Sequence, residues 1–216
     1  MNIEINNITD LPKEIDEDGY LFIPEFISFI GTDVFKNNES LEILEISDDV
    51  PDTFYIGKNA FENCENLRKV YIGNNVRELK EFAFKNTGNK KSQLEVYFGR
   101  DPNSSNIVNL GEGCFANSNL NYIEIPSNIK TIGEVTFKNC YNLNYIFINT
   151  SKNNFSCLHT NIESENNTFT NCSKLLNNQS SVVIRGPLAQ KWCDINMINF
   201  NLRTNTKVNP NFIKVA

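Results

Sequence analysis

The residues of this chain whose types are best suited to chemistry lie close together: Cys157, the single histidine His159, and Glu163. A cysteine thiolate beside an imidazole could act as a nucleophile or contribute ligands to a metal site. A nucleophile also needs a base within hydrogen-bonding distance, and a structural zinc site needs four ligands at defined spacing. An enzyme built on these three residues is therefore one alternative, and it requires the three groups to converge in space.

The rest of the sequence carries no familiar catalytic signature. It has no Walker A loop, no dinucleotide-binding fingerprint, no zinc-protease HExxH motif and no GxSxG nucleophile elbow. We therefore predict a protein that is not an enzyme and that has no catalytic residues, no metal site and no cofactor.

Four of the six cysteines follow a pattern that indicates packing rather than chemistry. Cys64, Cys140 and Cys172 each come directly after an asparagine that recurs along the chain, and Cys114 stands where related segments have alanine. Small residues at equivalent positions are typical of a packed interior, where cysteine behaves as a small hydrophobic residue. We expect these thiols, and the remaining two in Cys157 and Cys193, to be free.

The pattern that contains these cysteines is a unit that recurs six times, each copy centred on Phe-x-Asn: 35–37, 61–63, 84–86, 115–117, 137–139 and 169–171. The phenylalanines are separated by 26, 23, 31, 22 and 32 residues. The base unit is thus about 23 residues, with insertions after Val50, at Thr87–Gln93 with Arg100–Asn109 as a further candidate, and at Asn149–Asn167. A period of this length predicts a stacked solenoid, a class that mostly binds partners rather than transforming substrates.

Each unit has two parts with different physical roles. A Leu-x-x-Val-x-Ile segment, as at Leu67–Ile72, alternates apolar and polar residues and predicts one half-buried strand per repeat, stacked in parallel. An Ile-Gly-x-x-small-Phe-x-Asn segment predicts a turn, in which glycine permits close backbone approach and phenylalanine packs inward. We expect the asparagine side chains to form a ladder that satisfies buried backbone groups of the turn.

Residues 56–76 show the full unit, from Ile56-Gly57 through Ala60, Phe61, Asn63, Cys64 and Leu67 to Val76. This pattern resembles the BspA-like leucine-rich repeat family, also described from treponemes, over about residues 20–200. The third copy departs from it with Leu79-Lys80 in place of Ile-Gly, and the sixth lacks that pair. The resemblance implies a right-handed, curved array with a sheet on one face, used in adhesion, host-protein binding or other protein contacts, and it supplies no shared catalytic site.

The predicted fold class is a repeat solenoid, mainly β with short turns or helical turns, arranged as a curved leucine-rich repeat array. We expect a lead-in or cap at residues 1–20, a solenoid of six repeats at 21–184, and a cap and tail at 185–216. A short capping helix is predicted at Leu188–Asn196, because Pro187 precedes it and the last repeat must cover its apolar end.

Alternation within the strands predicts a binding face on the sheet. The residues between the buried positions should point outward in two columns, and aromatic residues are common at binding hot spots. Aromatic residues also favour strands and stack between repeats for stability, and this alternative stays open. The candidate binding residues are Tyr71, Tyr97, Tyr122, Tyr145, Phe147, Lys69, Glu95 and Glu124.

Charge narrows the class of partner. The net charge is −6, and the first 55 residues hold 14 acidic and only 2 basic side chains. An acidic chain without a basic stripe argues against nucleic acid, and no apolar run approaches the roughly 20 residues of a membrane helix. We expect a monomer without membrane insertion that binds a protein, such as a host or cell-surface protein, with a glycan as the second possibility.

The compartment is left open by the sequence. The segment Met1–Gly19 has neither the basic start nor the apolar run of a signal peptide. That observation favours the alternative of an intracellular effector, viral or defence component that binds a cytosolic target. A surface location would instead require another export route or a longer parent chain.

Overall fold

The chain folds as a parallel β-solenoid. A computed structural model describes residues 3–6, 10, 15–88, 92–101, 104–149, 168–173 and 181–185. Its strands are β1 (Ile3–Ile5), β2 (Tyr20–Ile23), β3 (Ile27–Ile30), β4 (Ile43–Ile46), β5 (Tyr55–Ile56), β6 (Lys69–Ile72), β7 (Glu78–Leu79), β8 (Glu95–Phe98), β9 (Asn109–Leu110), β10 (Tyr122–Ile125), β11 (Thr131–Ile132), β12 (Tyr145–Asn149) and β13 (Ser181–Arg185). The predicted solenoid is confirmed.

The Leu-x-x-Val-x-Ile segments form a row of strands that we call the main sheet. It consists of β2, β4, β6 and β8, followed by β10, β12 and β13, and every pair within each group is parallel. In the described part of the chain, an isolated parallel bridge between Leu94 and Leu120 connects the two groups. The strands β8 and β10 do not pair along their length because the spacing of their buried residues differs. Leu94 stands two residues before the next buried side chain, Val96, whereas Leu120 stands three residues before Ile123.

A second sheet was not predicted by the repeat pattern. The strands β1, β3, β5, β7, β9 and β11 stack in parallel on another face of the solenoid. Five of its strands end on the last apolar residue before a repeat's turn, and each of these residues is fully buried or nearly so: Ile30, Ile56, Leu79, Leu110 and Ile132. Four of the six strands are two residues long, too short for alternation to reveal them in the sequence. Ile5 of β1 is also buried, so part of the predicted lead-in joins this sheet.

The core between the sheets is built from repeated side chains, above all the six phenylalanines of the Phe-x-Asn motifs. Successive rings stack nearly face to face, with centroids 4.9 to 5.8 Å apart and planes within 10°. This spacing is close to the roughly 4.8 Å between neighbouring strands. The repeat therefore fixes the ring geometry, and each ring is at most 2% exposed.

The asparagine ladder exists, but its partners differ from those predicted. The six asparagines bond to one another at the surface: the side-chain amides of Asn63, Asn86, Asn117, Asn139 and Asn171 each donate to the side-chain oxygen of the preceding asparagine at 2.6 to 2.8 Å. All six residues have φ between 58° and 62°. Asparagine recurs because it tolerates this left-handed conformation, not because buried amides need its side chain.

The cysteine prediction is confirmed for the four cysteines that the structure describes, which are buried and free. The thiols of Cys64, Cys140 and Cys172 donate to the carbonyl oxygen of the phenylalanine in the preceding repeat at 3.0 to 3.1 Å. Burial raises the pKa of Cys64 to about 12. Cys157, Cys193 and the predicted capping helix lie outside the described residues.

Candidate interaction surface

The main sheet presents two columns of outward side chains, as predicted. Parallel pairing sets the register: Lys69 lies opposite Glu95 and Tyr71 opposite Tyr97, while Tyr122 lies opposite Tyr145 and Glu124 opposite Phe147. In β2, β4, β6 and β10 the first and third residues are half-buried and the second and fourth are buried. The structure therefore brings all eight predicted binding residues onto one face.

The accessibility of these residues varies. Glu95 is exposed and Tyr145 is 41% exposed, whereas Tyr71, Tyr97 and Tyr122 are half-buried. Phe147, however, is only 7% exposed, so the expectation of a fully accessible aromatic patch is wrong at this position. A phenyl ring has no hydroxyl that favours contact with water, unlike the tyrosine rings of this face.

Four tyrosines of this face donate their hydroxyls to carboxylates. Tyr20 donates to Glu45 at 2.9 Å, Tyr71 to Asp48 at 2.9 Å, Tyr97 to Glu95 at 3.0 Å and Tyr122 to Glu124 at 3.1 Å. We call these eight residues the tyrosine–carboxylate face. The bonds hold the aromatic rings in fixed positions while leaving the negative charges of the carboxylates in place.

Ionisation of these tyrosines is suppressed. Burial, followed by the hydrogen bond to a carboxylate, raises the pKa of Tyr20, Tyr71 and Tyr97 to about 12. Burial and the Glu124 carboxylate likewise raise the pKa of Tyr122. At physiological pH all four phenols are therefore neutral donors.

Two cations of the same chain lie on this face. The Nζ atom of Lys69 is 5.6 Å from the centre of the Tyr97 ring, a cation–π contact. The Nε atom of Arg100 is 3.7 Å from an Asp48 oxygen, and its side chain is 83% exposed. Four carboxylates thus share the surface with two cationic side chains.

Sequence reasoning missed several members of this surface. Tyr20 and Phe22 occupy the outward positions of β2, and the alternation Tyr-Leu-Phe-Ile could have revealed them. Asp48 and Arg100 follow β4 and β8 respectively, at positions that the repeat does not define. No sequence signal places those two side chains beside Tyr71.

The outer side of the second sheet offers a useful comparison. Phe29 and Tyr55 stack there with centroids 4.9 Å apart, and the Nζ atom of Lys80 lies 5.3 Å from the Tyr55 ring centre. The Glu78 carboxylate accepts hydrogen bonds from Lys80 and from Asn109, both at 2.5 Å. This surface also has an aromatic ring beside a lysine, but Lys80 directly compensates the charge of Glu78.

The described part of the chain contains no group of three or more His, Cys, Asp or Glu residues placed to hold a metal ion. Within the same residues, no helix has the length and apolar character needed to cross a membrane. Cys157, His159 and Glu163, the residues of the enzymatic alternative, lie outside the described ranges.

Comparison with known proteins identifies the repeat. The family described as the BspA type leucine-rich repeat region matches residues 19–98 and 100–177, in six copies. No curated protein sequence matches the chain.

Solved structures share the architecture. A leucine-rich repeat protein of T. pallidum has a TM-score of 0.54 at 19% identity, covering 76% of this chain and 70% of that one. A Bacteroides ovatus leucine-rich repeat protein has a TM-score of 0.53 at 20% identity, with 77% and 37% covered. The pneumococcal vaccine antigen PcpA has a TM-score of 0.58 at 14% identity, with 87% and 42% covered. The matches to the latter two span less than half of those proteins, and at these identities the likeness establishes the fold alone.

Proposed function

Since this chain belongs to the BspA-type leucine-rich repeat family, we propose that it is a non-enzymatic protein-interaction module that contacts its partner with the tyrosine–carboxylate face. The proposed contact residues also include Lys69 and Tyr145. A family defined by a structural repeat, rather than by a catalytic motif, supports a scaffold role. The partner class we favour is a host or cell-surface protein bound in adhesion.

The observation that carries the proposal is the set of four tyrosine hydroxyl–carboxylate pairs on one sheet face. Tyrosine buries a large area at low entropic cost when it binds. A ring whose hydroxyl is already held loses less freedom on association, which favours affinity. Neutral phenols and ionised carboxylates then offer a partner both apolar area and charge.

The chain provides a matched pair of variants for a test. Tyr97→Ala removes an aromatic ring beside Lys69 on the main sheet, and Tyr55→Ala removes a ring beside Lys80 on the second sheet. Wild type and both variants are immobilised and exposed separately to cell-surface proteins and to cell lysate, and the captured proteins are identified by mass spectrometry. Circular dichroism and thermal unfolding establish that each variant is folded.

We expect a partner that is captured by wild type and Tyr55→Ala and is lost or much reduced with Tyr97→Ala. Equal capture by both variants would reject the main-sheet face as the contact surface. Capture from the surface pool supports the adhesion role, whereas capture from lysate alone supports the intracellular effector, viral or defence role. A Cys157→Ala/His159→Ala variant should capture the same partner, and loss of a measurable turnover in that variant would instead favour the enzymatic alternative.

We also propose the division into a lead-in at 1–20, a six-repeat solenoid at 21–184 and a cap and tail at 185–216, and a monomeric state. The uneven charge, with 14 acidic residues among the first 55, could favour head-to-tail contacts between copies. Light scattering at low salt and high protein concentration tests whether the chain is monomeric. A molar mass that rises with concentration would contradict the monomeric state.

A further inference from the structure

The charge on the main sheet specifies the chemistry of a partner. We propose that the tyrosine–carboxylate face binds an extended basic peptide segment, whose arginine or lysine side chains contact its carboxylates and its tyrosine rings. This inference rests on the proposed function, because it names the class of partner for the same face.

The first argument is that the face holds four carboxylates beside two cations of its own chain, Lys69 and Arg100. Glu45 and Glu95 each accept a hydrogen bond from a neutral tyrosine hydroxyl at 2.9 and 3.0 Å. An ionised carboxylate offers about four acceptor positions, and a phenol donor removes none of its charge. Both groups therefore remain suited to a charge-assisted hydrogen bond from a guanidinium or an ammonium group.

The second argument is that the face already accommodates cations of its own chain. Lys69 lies 5.6 Å from the Tyr97 ring centre, and Arg100 lies 3.7 Å from Asp48. At 3.7 Å the Arg100 contact is an ion pair rather than a short hydrogen bond, and this arginine is largely exposed. A partner's arginine could take its place at little cost, since exposed ion pairs of this kind contribute little to stability.

The third argument is geometric. Glu45 lies on β4 and Glu95 on β8, with β6 between them, so the two carboxylates are about 10 Å apart measured across the strands. A peptide in the extended polyproline II conformation advances about 3.1 Å per residue with three residues per turn, so every third side chain points to the same side at intervals of about 9 Å. A segment of this kind that crosses the strands therefore matches the separation with cationic residues at every third position.

The other surfaces fit such a partner less well. On the second sheet, Glu78 already accepts from the ammonium group of Lys80, so the charge there is compensated. A neutral glycan would leave the charges of Glu45 and Glu95 unpaired, whereas the cations of a basic peptide form charge-assisted hydrogen bonds with them. A basic peptide is thus favoured over a sugar on the main sheet.

Fluorescence anisotropy with a labelled peptide tests the inference. The probe is a peptide of about nine residues with arginine at every third position and serine and glycine between, a length that spans the main-sheet strands. The control peptide has glutamate in place of each arginine. The protein variants are Glu45→Gln/Glu95→Gln on the main sheet and Glu78→Gln on the second sheet, all of which retain a hydrogen-bond acceptor.

We expect wild type and Glu78→Gln to bind the arginine peptide equally and the double variant to bind it at least about tenfold more weakly, since a hydrogen bond to a charged group is worth that much or more. Added salt should weaken binding by wild type, and the glutamate peptide should not bind. If the double variant does not fold, the single Glu95→Gln change at an exposed residue replaces it.

Other results would overturn the inference. These are the absence of arginine-peptide binding by wild type, equal binding by the main-sheet variant, or binding to a glycan array in place of the peptide. The capture experiment with immobilised protein distinguishes failure of the peptide proposal from failure of the proposed function. A protein partner that is lost with Tyr97→Ala but retained by Glu45→Gln/Glu95→Gln would support the interaction module and reject a cationic partner. Retention of the partner by both variants would reject the tyrosine–carboxylate face as the contact surface.

Discussion

Replacing a single asparagine of the ladder separates backbone strain from hydrogen bonding. Asn86 has φ of 58°, donates to Asn63 at 2.6 Å and accepts from Asn117 at 2.8 Å. Asn86→Ala loses both side-chain hydrogen bonds and places a methyl-bearing residue in the left-handed region. Asn86→Gly loses the same hydrogen bonds, but glycine adopts positive φ without steric penalty.

The magnitudes follow from these contacts. Two partly exposed hydrogen bonds contribute about 1 kcal/mol together, at the low end of the usual range. The left-handed conformation costs an alanine a further 1–2 kcal/mol or so, whereas glycine adds about 0.5–1 kcal/mol through its greater freedom in the unfolded chain. We therefore expect Asn86→Ala to lower the free energy of unfolding by about 2–3 kcal/mol and Asn86→Gly by about 1.5–2 kcal/mol.

A matched control lies in the same solenoid. Asn142 donates to Asn119 at 2.7 Å, a comparable bond between repeats, but its φ is not positive. At this position alanine should cost less than glycine, about 0.5–1 kcal/mol for the lost hydrogen bond alone. The order of the two substitutions is thus reversed between Asn86 and Asn142.

Urea unfolding followed by circular dichroism measures all four variants, with midpoints compared because repeat arrays can depart from two-state behaviour. If glycine at Asn86 destabilised as much as or more than alanine, the explanation of the asparagine repeat by its left-handed backbone would be refuted. If neither substitution mattered, the ladder itself would contribute nothing to stability.

Three further predictions concern the core and the tyrosines. Phe84 is fully buried between the rings of Phe61 and Phe115, so Phe84→Ala should lower stability by about 3–5 kcal/mol; a loss below about 1 kcal/mol in urea unfolding would mean that the rings do not carry the core. The four buried cysteines should not react with a thiol reagent in the native state and should react on denaturation, a difference that mass spectrometry of the labelled chain measures directly. The raised folded-state pKa of about 12 for Tyr20, Tyr71 and Tyr97 means that their contribution to stability is present below pH 10 and is lost as the pH rises from 10 towards 12, because the unfolded chain releases its protons first. In an ultraviolet titration, the tyrosinate signal of these residues should therefore appear together with unfolding, and reversible titration of all seven tyrosines near pH 10 in the folded state would contradict the hydrogen-bonded arrangement.

The repeating part of the fold was predictable because stacking imposes the same environment on each copy. Phe61 and Phe84 must match in shape to stack, and Cys64 and Cys140 both donate to a phenylalanine carbonyl oxygen of the preceding repeat. Such constraints leave a period in the sequence. Two-residue strands such as Tyr55–Ile56 leave no period of their own, and for that reason the second sheet went unpredicted.

The candidate surface was only partly predictable for the opposite reason. Alternation indicates which residues point outward, as it does for Tyr71 and Tyr97, but not which side chains meet them. Asp48 reaches Tyr71 from the segment after β4, and Phe147 is covered despite its outward position. Side-chain partners outside the repeat depend on tertiary contacts that no local pattern encodes.

The outward pairs also bear on whether the surface exists for stability or for binding. Tyr20–Glu45 and Tyr71–Asp48 join neighbouring repeats, so their hydrogen bonds help to hold the stack together. Tyr97–Glu95 and Tyr122–Glu124 each lie within one strand. A bond between residues two apart in a strand cannot fasten one repeat to the next, and a partly exposed bond contributes little to folding. These two hydrogen bonds do not themselves join repeats, although the Lys69 ammonium group of the preceding repeat lies over the Tyr97 ring. The binding role that we propose would account for rings fixed beside carboxylates in all four pairs.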